Sequence, residues 1–159
     1  TIGPLINSKA ANDVHALVSD ATDKGAKVLV GGNISTLGEC FFEPTILVDV
    51  PAEARVFKEE IFGPVAPIFR FKSEAEAIQM ANDTEFGLAS YFYTRDVGRV
   101  WRVGEALEYG IVGINEGGIS NAMAPFGGVK ESGNGREGSS YGIEDYLEIK
   151  YMCMGGIDK

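Results

Sequence analysis

Helical and strand-like segments alternate through the first 115 residues of this chain, and few fold classes are compatible with that order of elements. Residues 9 to 24 repeat apolar side chains at i, i+3, i+4 and i+7, which predicts an amphipathic helix capped by Ser8 and closed by Gly25. Short β-rich runs follow in AKVLVGG and FFEPTILVDV, and residues 65 to 71 form another. The first half of the chain is therefore predicted to start with a helix and continue with strands.

Two further helices separate the later strand-like runs. The capping-box pattern SEAE, which begins at Ser73, predicts a helix to about Asn82, and Asp96 predicts the start of another that ends at Glu108. LASYFYT and IVGIN follow them as strands. We expect the inner face of the last helix to hold Val97, Val100, Trp101, Gly104 and Leu107. This alternation predicts an α/β layer with parallel strands.

Composition excludes several classes of function. The chain has 159 residues and a net charge of −9, so it lacks the positive surface that nucleic acid requires, and its length favours one domain. No apolar run approaches the roughly 20 residues of a membrane helix. One histidine and two distant cysteines exclude most zinc-ligand sets, so we expect no metal. The predicted compartment is the cytoplasm, with the mitochondrial matrix as the alternative.

Residues 116 to 142 are rich in glycine and contain the pattern Gly133-x-Gly135-x-x-Gly138. A dinucleotide fingerprint needs a strand directly before it and a helix directly after it, and neither is indicated here. We therefore interpret this segment as a loop whose glycines allow positive φ angles or close backbone approach.

A catalytic nucleophile is not evident in the sequence. Cys40 lies between Glu39 and aromatic residues, surroundings that do not activate a thiol, and Cys153 lies in an apolar run near the end. His15 is expected on the surface of the first helix, so no Cys-His or Ser-His-Asp set can be assembled.

The segment KEEIFGP, residues 58 to 64, carries two adjacent carboxylates beside an aromatic residue. Adjacent side chains diverge, so at most one of Glu59 and Glu60 is expected to be functional. A carboxylate can accept hydrogen bonds from both hydroxyls of a ribose, and the ring of Phe62 can lie against a flat ligand ring. The alternative is a glutamate at a helix end and a phenylalanine in the core.

Several longer motifs, in order, resemble one enzyme family. EEIFGPV, NDTEFGLASYFYTRD, VGINEGG and APFGGVKESGNGRE are similar to the carboxyl-terminal third of NAD(P)-dependent aldehyde dehydrogenases, and the resemblance covers TIGPLI to YMCM. Within the family, GEALEYGIVGINEGGIS and EDYLEIKYMC look most like succinate-semialdehyde dehydrogenase, while glutarate-semialdehyde and related enzymes share much of both.

The resemblance implies site residues, cofactor and assembly. It implies that Glu60 holds the nicotinamide ribose of NAD or NADP and that Phe62 supports the nicotinamide. It also implies that Ser120 helps to hold the distal carboxylate of an aldehyde substrate and that Phe126 walls the pocket. Residues 1–137 would be part of the catalytic domain, and 138–159 a terminal helix and an oligomerisation strand of a homodimer or homotetramer.

The family's cysteine nucleophile, general-base glutamate and dinucleotide-binding half have no counterpart in this sequence. The resemblance therefore implies a segment of a longer oxidoreductase, inactive alone, that needs the amino-terminal part of the same enzyme. The absence of an initiator Met before Thr1 fits such a piece and also fits processing of a natural start. The alternative is a free-standing module of the same fold that binds or assembles without catalysis.

Overall fold

The computed structural model describes residues 2–158, which form two compact units divided between Ser73 and Glu74. Each unit has hydrogen-bonded strands of its own, and the expectation of one domain stays a prediction. The boundary predicted at residues 137 and 138 lies inside the second unit. It concerns the assembled enzyme and stays a prediction.

The first unit begins with helix α1 (Ser8–Asp23). Its N-cap is Asn7 rather than the predicted Ser8, because the Asn7 side chain accepts a hydrogen bond of 2.8 Å from the Ala10 amide. Gly25 follows the last turn at φ +109°, the left-handed conformation that closes helices and that glycine adopts without strain. The apolar periodicity predicted for this helix is confirmed, because Val14, Leu17, Val18 and Ala21 are buried, and Ala11 is buried with them.

Helix α1 shares a hydrophobic core with a three-stranded sheet. The strands are β1 (Lys27–Val30), β2 (Thr45–Val48) and β3 (Val65–Pro67), in that spatial order. β1 and β2 are antiparallel, whereas β2 and β3 are parallel. Strand β3 ends at Pro67 and is shorter than predicted, although the Ile68 amide still donates to Leu47 O at 2.9 Å. A 3-10 turn (Arg55–Phe57) connects β2 with β3.

The second unit contains α2 (Glu74–Asn82), β4 (Phe86–Gly87), β5 (Ala89–Phe92), α3 (Val97–Ala106), β6 (Ile111–Ile114) and β7 (Val129–Lys130). β5 and β6 are parallel, and β4 pairs with β7 in the antiparallel direction. The α/β class is thus confirmed, and the predicted parallel arrangement holds for two of the four strand pairs.

The apolar face of α3 differs in part from the predicted one. Val100, Gly104 and Leu107 are partly buried as predicted, whereas Val97 and Trp101 are 72% and 66% exposed. The fully buried residue of the helix is Val103, which was not predicted. Asp96 caps the helix as predicted, accepting from the Arg99 amide at 3.1 Å. The basic side chains of Arg99 and Arg102 turn toward α2, and the packed strip therefore runs through Val103.

Glu74, at the start of α2, binds both arginines of α3. Its carboxylate accepts from Arg99 Nε at 2.7 Å and from Arg102 Nε at 3.0 Å. Hydrogen bonds from Arg102 and then Arg99 lower the pKa of Glu74 from 4.5 to about 2. This contact therefore stabilises the fold above pH 4.5, and its contribution is lost as the pH falls toward 2.

We expect Glu74→Gln to lower the melting temperature at pH 7 and to lower it progressively less as the pH falls toward 2, because protonation then removes the charge of Glu74 in the parent protein. Thermal unfolding followed by circular dichroism at pH 7, 4 and 2.5 measures this difference. Glu105→Gln, at an exposed position of α3, is the control. A Glu74→Gln effect that stays constant across this pH range would contradict the assignment.

The end of the chain is irregular. The predicted terminal helix is a single 3-10 turn (Glu144–Tyr146), and residues 147 to 156 form no strand with any other part of the described chain. Across residues 2–158, no helix is both long and apolar enough to cross a membrane.

Candidate functional site

Glu59 and Glu60 have different surroundings in the first unit. Arg55 donates to both carboxylate oxygens of Glu59, from Nε at 2.6 Å and from Nη2 at 2.8 Å. The hydrogen bond from Arg55 is the main cause that lowers the pKa of Glu59. The Arg55 amide in turn donates to Asp20 Oδ2 at 2.9 Å, which ties the 3-10 turn to α1. Glu59 thus has a structural partner.

Glu60 is exposed, and between residues 2 and 158 its carboxylate has no recorded hydrogen bond or ion pair. Both of its oxygens can therefore accept hydrogen bonds from a ligand. The sequence predicted that at most one of the two glutamates is available, and these contacts identify Glu60 as the available one.

Phe62 is held away from the core. Its side chain is 81% exposed, and its backbone has φ +48°, which is uncommon for a bulky residue. Its neighbours explain this position: Ile61 packs against the core, and a Cβ on Gly63 would lie 2.6 Å from Val14 Cγ2. Pro64 O accepts from the Thr45 amide at 2.8 Å. The alternative of a core phenylalanine is therefore wrong for Phe62.

In the second unit, Ser120 lies in the loop that follows β6. Its side chain is exposed, and no hydrogen bond to its hydroxyl is recorded within the described chain. The carboxyl ends of parallel strands β5 and β6 meet at this loop, which is the edge where α/β proteins usually bind ligands. A serine that only stabilises a turn would bond to its own backbone.

Phe126 lies within the glycine-rich segment 116–142, three residues before β7. It exchanges two backbone hydrogen bonds with Glu137, of 2.9 and 2.7 Å, and is partly buried. Its side chain lines a cleft of about 330 Å³, which Leu88, Arg136, Asp145 and Tyr146 also line. Ser120 does not line this cleft.

The glycine pattern between 133 and 138 is a loop, as interpreted. Gly133, Gly135 and Gly138 all have positive φ angles, of 104°, 81° and 67°, and a helix does not follow directly. A Cβ on Gly135 would lie 2.6 Å from Asp145 Oδ2, whose carboxylate accepts from the Arg136 amide at 2.8 Å. The positive φ angles favour glycine at all three positions, and close packing adds to this at Gly135 and Gly138 but not at Gly133.

The two cysteines have different exposures. Cys40 is partly buried and Cys153 is exposed, and His15 packs edge-on against Phe42. Within residues 2–158, no group of three or more His, Cys, Asp or Glu side chains could hold a metal ion.

Sequence reasoning missed Asn115, the residue at the end of β6. Its side chain bonds to both backbone groups of Thr94, and its backbone has φ +57°. An Asn directly after a buried strand and before Glu-Gly-Gly was a usable signal, since Asn is among the residues that tolerate this conformation.

The comparisons with known proteins define the class. The model described as the aldehyde dehydrogenase family matches residues 1–152. The chain therefore belongs to the aldehyde dehydrogenase family.

Individual relatives are also similar. The chain is 69% identical over 155 residues to the NADP(+)-dependent succinate-semialdehyde dehydrogenase GabD of Escherichia coli (strain K12), covering 98% of this chain and 32% of that protein. It is 68% identical to a glutarate-semialdehyde dehydrogenase of Pseudomonas aeruginosa, covering 99% of this chain and 32% of that protein. A crystal structure of an NADP-dependent enzyme of E. coli superposes with a TM-score of 0.95 at 69% identity, over 98% of this chain and 32% of that one. The chain thus spans about a third of the length of the curated relatives it matches.

Proposed function

We propose that this chain is a segment of a longer dehydrogenase that oxidises succinate semialdehyde to succinate with NAD or NADP. The observation that carries the proposal is the unbonded hydroxyl of Ser120, exposed in the loop at the carboxyl ends of β5 and β6. The similarity to a succinate-semialdehyde dehydrogenase supports the same substrate. The position of the segment at the carboxyl-terminal end of the enzyme stays a prediction from its motifs, and so does the cytoplasmic location.

On the cofactor side, we propose that Glu60 accepts hydrogen bonds from the nicotinamide ribose and that Phe62 supports the nicotinamide ring. Two features fit this group: a carboxylate with both oxygens available, and an aromatic ring that is 81% exposed. The bound dinucleotide would supply the hydride acceptor. The catalytic cysteine and general base are proposed to lie outside this chain, which is therefore expected to be inactive alone.

On the substrate side, we propose that the Ser120 hydroxyl donates a hydrogen bond to the distal carboxylate and that Phe126 forms an apolar wall. A small hydroxyl flanked by a glycine-rich loop allows a ligand to approach closely, whereas a larger side chain would occupy that space. This contact favours a semialdehyde over an uncharged aldehyde.

The experiment is Ser120→Ala in the full-length enzyme. We expect KM for succinate semialdehyde to rise by roughly 10- to 100-fold, since a hydrogen bond to a charged group contributes about 1.5–3 kcal/mol. An uncharged aldehyde of similar length should be almost unaffected, because it has no distal carboxylate and so makes no such hydrogen bond with Ser120. Steady-state kinetics with both substrates measure the difference.

Ser140→Ala, at another exposed serine of the same glycine-rich segment, is the control and should leave both KM values unchanged. Equal losses for both aldehydes in Ser120→Ala would mean that Ser120 holds the loop rather than the substrate.

Glutarate semialdehyde is the second candidate, favoured by the 68% identity to a dehydrogenase of that name. Its chain is one methylene longer, and one methylene changes selectivity by only about 1–3 kcal/mol. The ratio of kcat/KM for the two semialdehydes decides between them. A free-standing binding module would give no turnover with either.

For assembly, we propose that the terminal segment pairs with another subunit of a homo-oligomer, a dimer or a tetramer. Ile149 is 99% exposed, Tyr151 is 86% exposed and Met152 is 71% exposed, an amount of apolar surface that usually marks an interaction site. An extended segment without a partner strand can add to a sheet edge of a second copy.

A further inference from the structure

The loop that carries Ser120 is held at its start by Asn115. The side chain of Asn115 spans the gap between the carboxyl ends of β5 and β6: its Oδ1 accepts from the Thr94 amide at 2.8 Å, and its Nδ2 donates to Thr94 O at 2.7 Å. The last residue pair of the two strands is Phe92 with Ile114. Beyond it, the side-chain amide of Asn115 makes two hydrogen bonds to the Thr94 backbone, as a further strand residue would. We call these two hydrogen bonds the Asn115 clamp.

The backbone of Asn115 reinforces the same connection. Its amide donates to Phe92 O at 3.0 Å, and its φ of +57° turns the chain out of β6 immediately after this bond. Asn and Gly adopt this left-handed conformation at lower cost than other residues. The turn that leads toward Ser120 therefore begins at a residue fixed by three hydrogen bonds.

Two contacts carry this constraint onward from Asn115. Glu116 Oε1 accepts from the Gly118 amide at 2.8 Å, which closes a tight turn. Ile119 is partly buried above Gly113, where a Cβ would lie 3.0 Å from Ile119 Cγ2. With Ile119 turned inward, the next side chain, Ser120, is exposed.

We propose that Asn115 is a positioning residue that determines substrate selectivity: its clamp on Thr94 holds the loop so that the Ser120 hydroxyl meets the distal carboxylate. This inference rests on the proposed function, because it acts through Ser120. Asn115 itself is assigned no contact with the reacting atoms.

The test uses two substitutions of Asn115 in the full-length enzyme. Asn115→Gly removes the clamp but adopts φ +57° readily, whereas Asn115→Ala removes the clamp and strains the backbone. We expect both variants to raise KM for succinate semialdehyde by about 5- to 20-fold, with little change in kcat or in KM for an uncharged aldehyde. Asn33→Gly, at an exposed asparagine whose side chain has no recorded bond within the described chain, is the matched control.

A double-mutant cycle shows whether Asn115 acts through Ser120. In a Ser120→Ala background, Asn115→Gly should add less than a twofold further change, because the contact that it positions is already lost. Hydrogen exchange of the 116–122 amides should be faster in Asn115→Gly than in the parent enzyme, which reports the loop without reference to substrate.

Each result then has one meaning. If KM for succinate semialdehyde is normal in Asn115→Gly and raised in Asn115→Ala, the inference is overturned, since only the backbone conformation at residue 115 would matter. Independent, multiplying effects of Asn115→Gly and Ser120→Ala would also overturn it. If Ser120→Ala lacks selectivity, the proposed carboxylate contact fails together with the inference. If Ser120→Ala is selective and Asn115→Gly is silent, the inference alone fails.

Discussion

Gly110→Ala should prevent the second unit from folding normally. A Cβ on Gly110 would lie 2.0 Å from Gly127 O and 2.9 Å from Gly128 Cα, and both are backbone atoms that cannot rotate away. The Gly110 amide also donates to Gly87 O at 2.9 Å, so moving Gly110 aside would break the link between β4 and β6. Overpacking of this kind costs about 3 kcal/mol or more.

The glycines of this region depend on one another. A Cβ on Gly87 would meet Glu108 O and Val129 Cγ2, each at 2.8 Å, and a Cβ on Gly128 would lie 3.1 Å from Leu88 Cα. The segments at Gly87, at Gly110 and at residues 127–128 therefore approach each other through glycine backbone. Phe126 directly precedes the last of these segments. Displacing Gly127 would move this wall of the cleft as well.

The measurement is soluble yield and thermal unfolding of the full-length enzyme that carries Gly110→Ala. We expect loss of soluble protein or a large fall in melting temperature. Gly117→Ala is the control, because a Cβ there would meet nothing within 4 Å. A Gly110→Ala enzyme as stable as the Gly117→Ala enzyme would show that this region tolerates expansion.

Local rules were sufficient to predict most elements from the sequence. Periodicity and a terminal glycine predicted α1, and the cap at Asp96 predicted the start of α3, because both depend on residues within about two turns. The antiparallel pairing of β1 with β2 and of β4 with β7 was not predicted, since partner choice depends on distant segments. The same limit explains why Val97 and Trp101, two residues of the predicted inner face of α3, are exposed.

The candidate site divides in the same way. Adjacent side chains diverge, so the sequence predicted that at most one of Glu59 and Glu60 is available to a ligand. The sequence could not show which one, because that depends on Arg55, which binds Glu59. The φ of +48° at Phe62 accompanies the packing of Ile61 on the core and of Gly63 on Val14 of α1, which no short motif encodes. The roles of Glu60, Phe62, Ser120 and Phe126 still rest on family resemblance and stay predictions.

Glu60→Gln should slow hydride transfer more than it weakens dinucleotide binding. The carboxylate of Glu60 has no recorded partner within residues 2–158, so both oxygens can accept from the ribose hydroxyls. Glutamine keeps the shape but offers one acceptor oxygen and no charge. The lost charge-assisted hydrogen bonding amounts to roughly 1–3 kcal/mol, or about 5- to 150-fold in rate if it acts only in positioning the nicotinamide.

Cofactor affinity should change less, because the adenosine end of the dinucleotide keeps contacts that this substitution does not touch. Single-turnover formation of the reduced cofactor, measured by its absorbance in a stopped-flow instrument, gives the hydride-transfer rate. Titration of the enzyme with oxidised dinucleotide gives the affinity under the same conditions.

Glu59→Gln is the matched control, since it makes the same chemical change one residue earlier. Glu59 is bound by Arg55, so its replacement should lower stability through that pair and leave the single-turnover rate near that of the parent enzyme. The two carboxylates differ in this chain by their partners, and the two variants should therefore separate stability from hydride transfer. An unchanged rate in Glu60→Gln, or an equal loss in both variants, would remove Glu60 from the cofactor site.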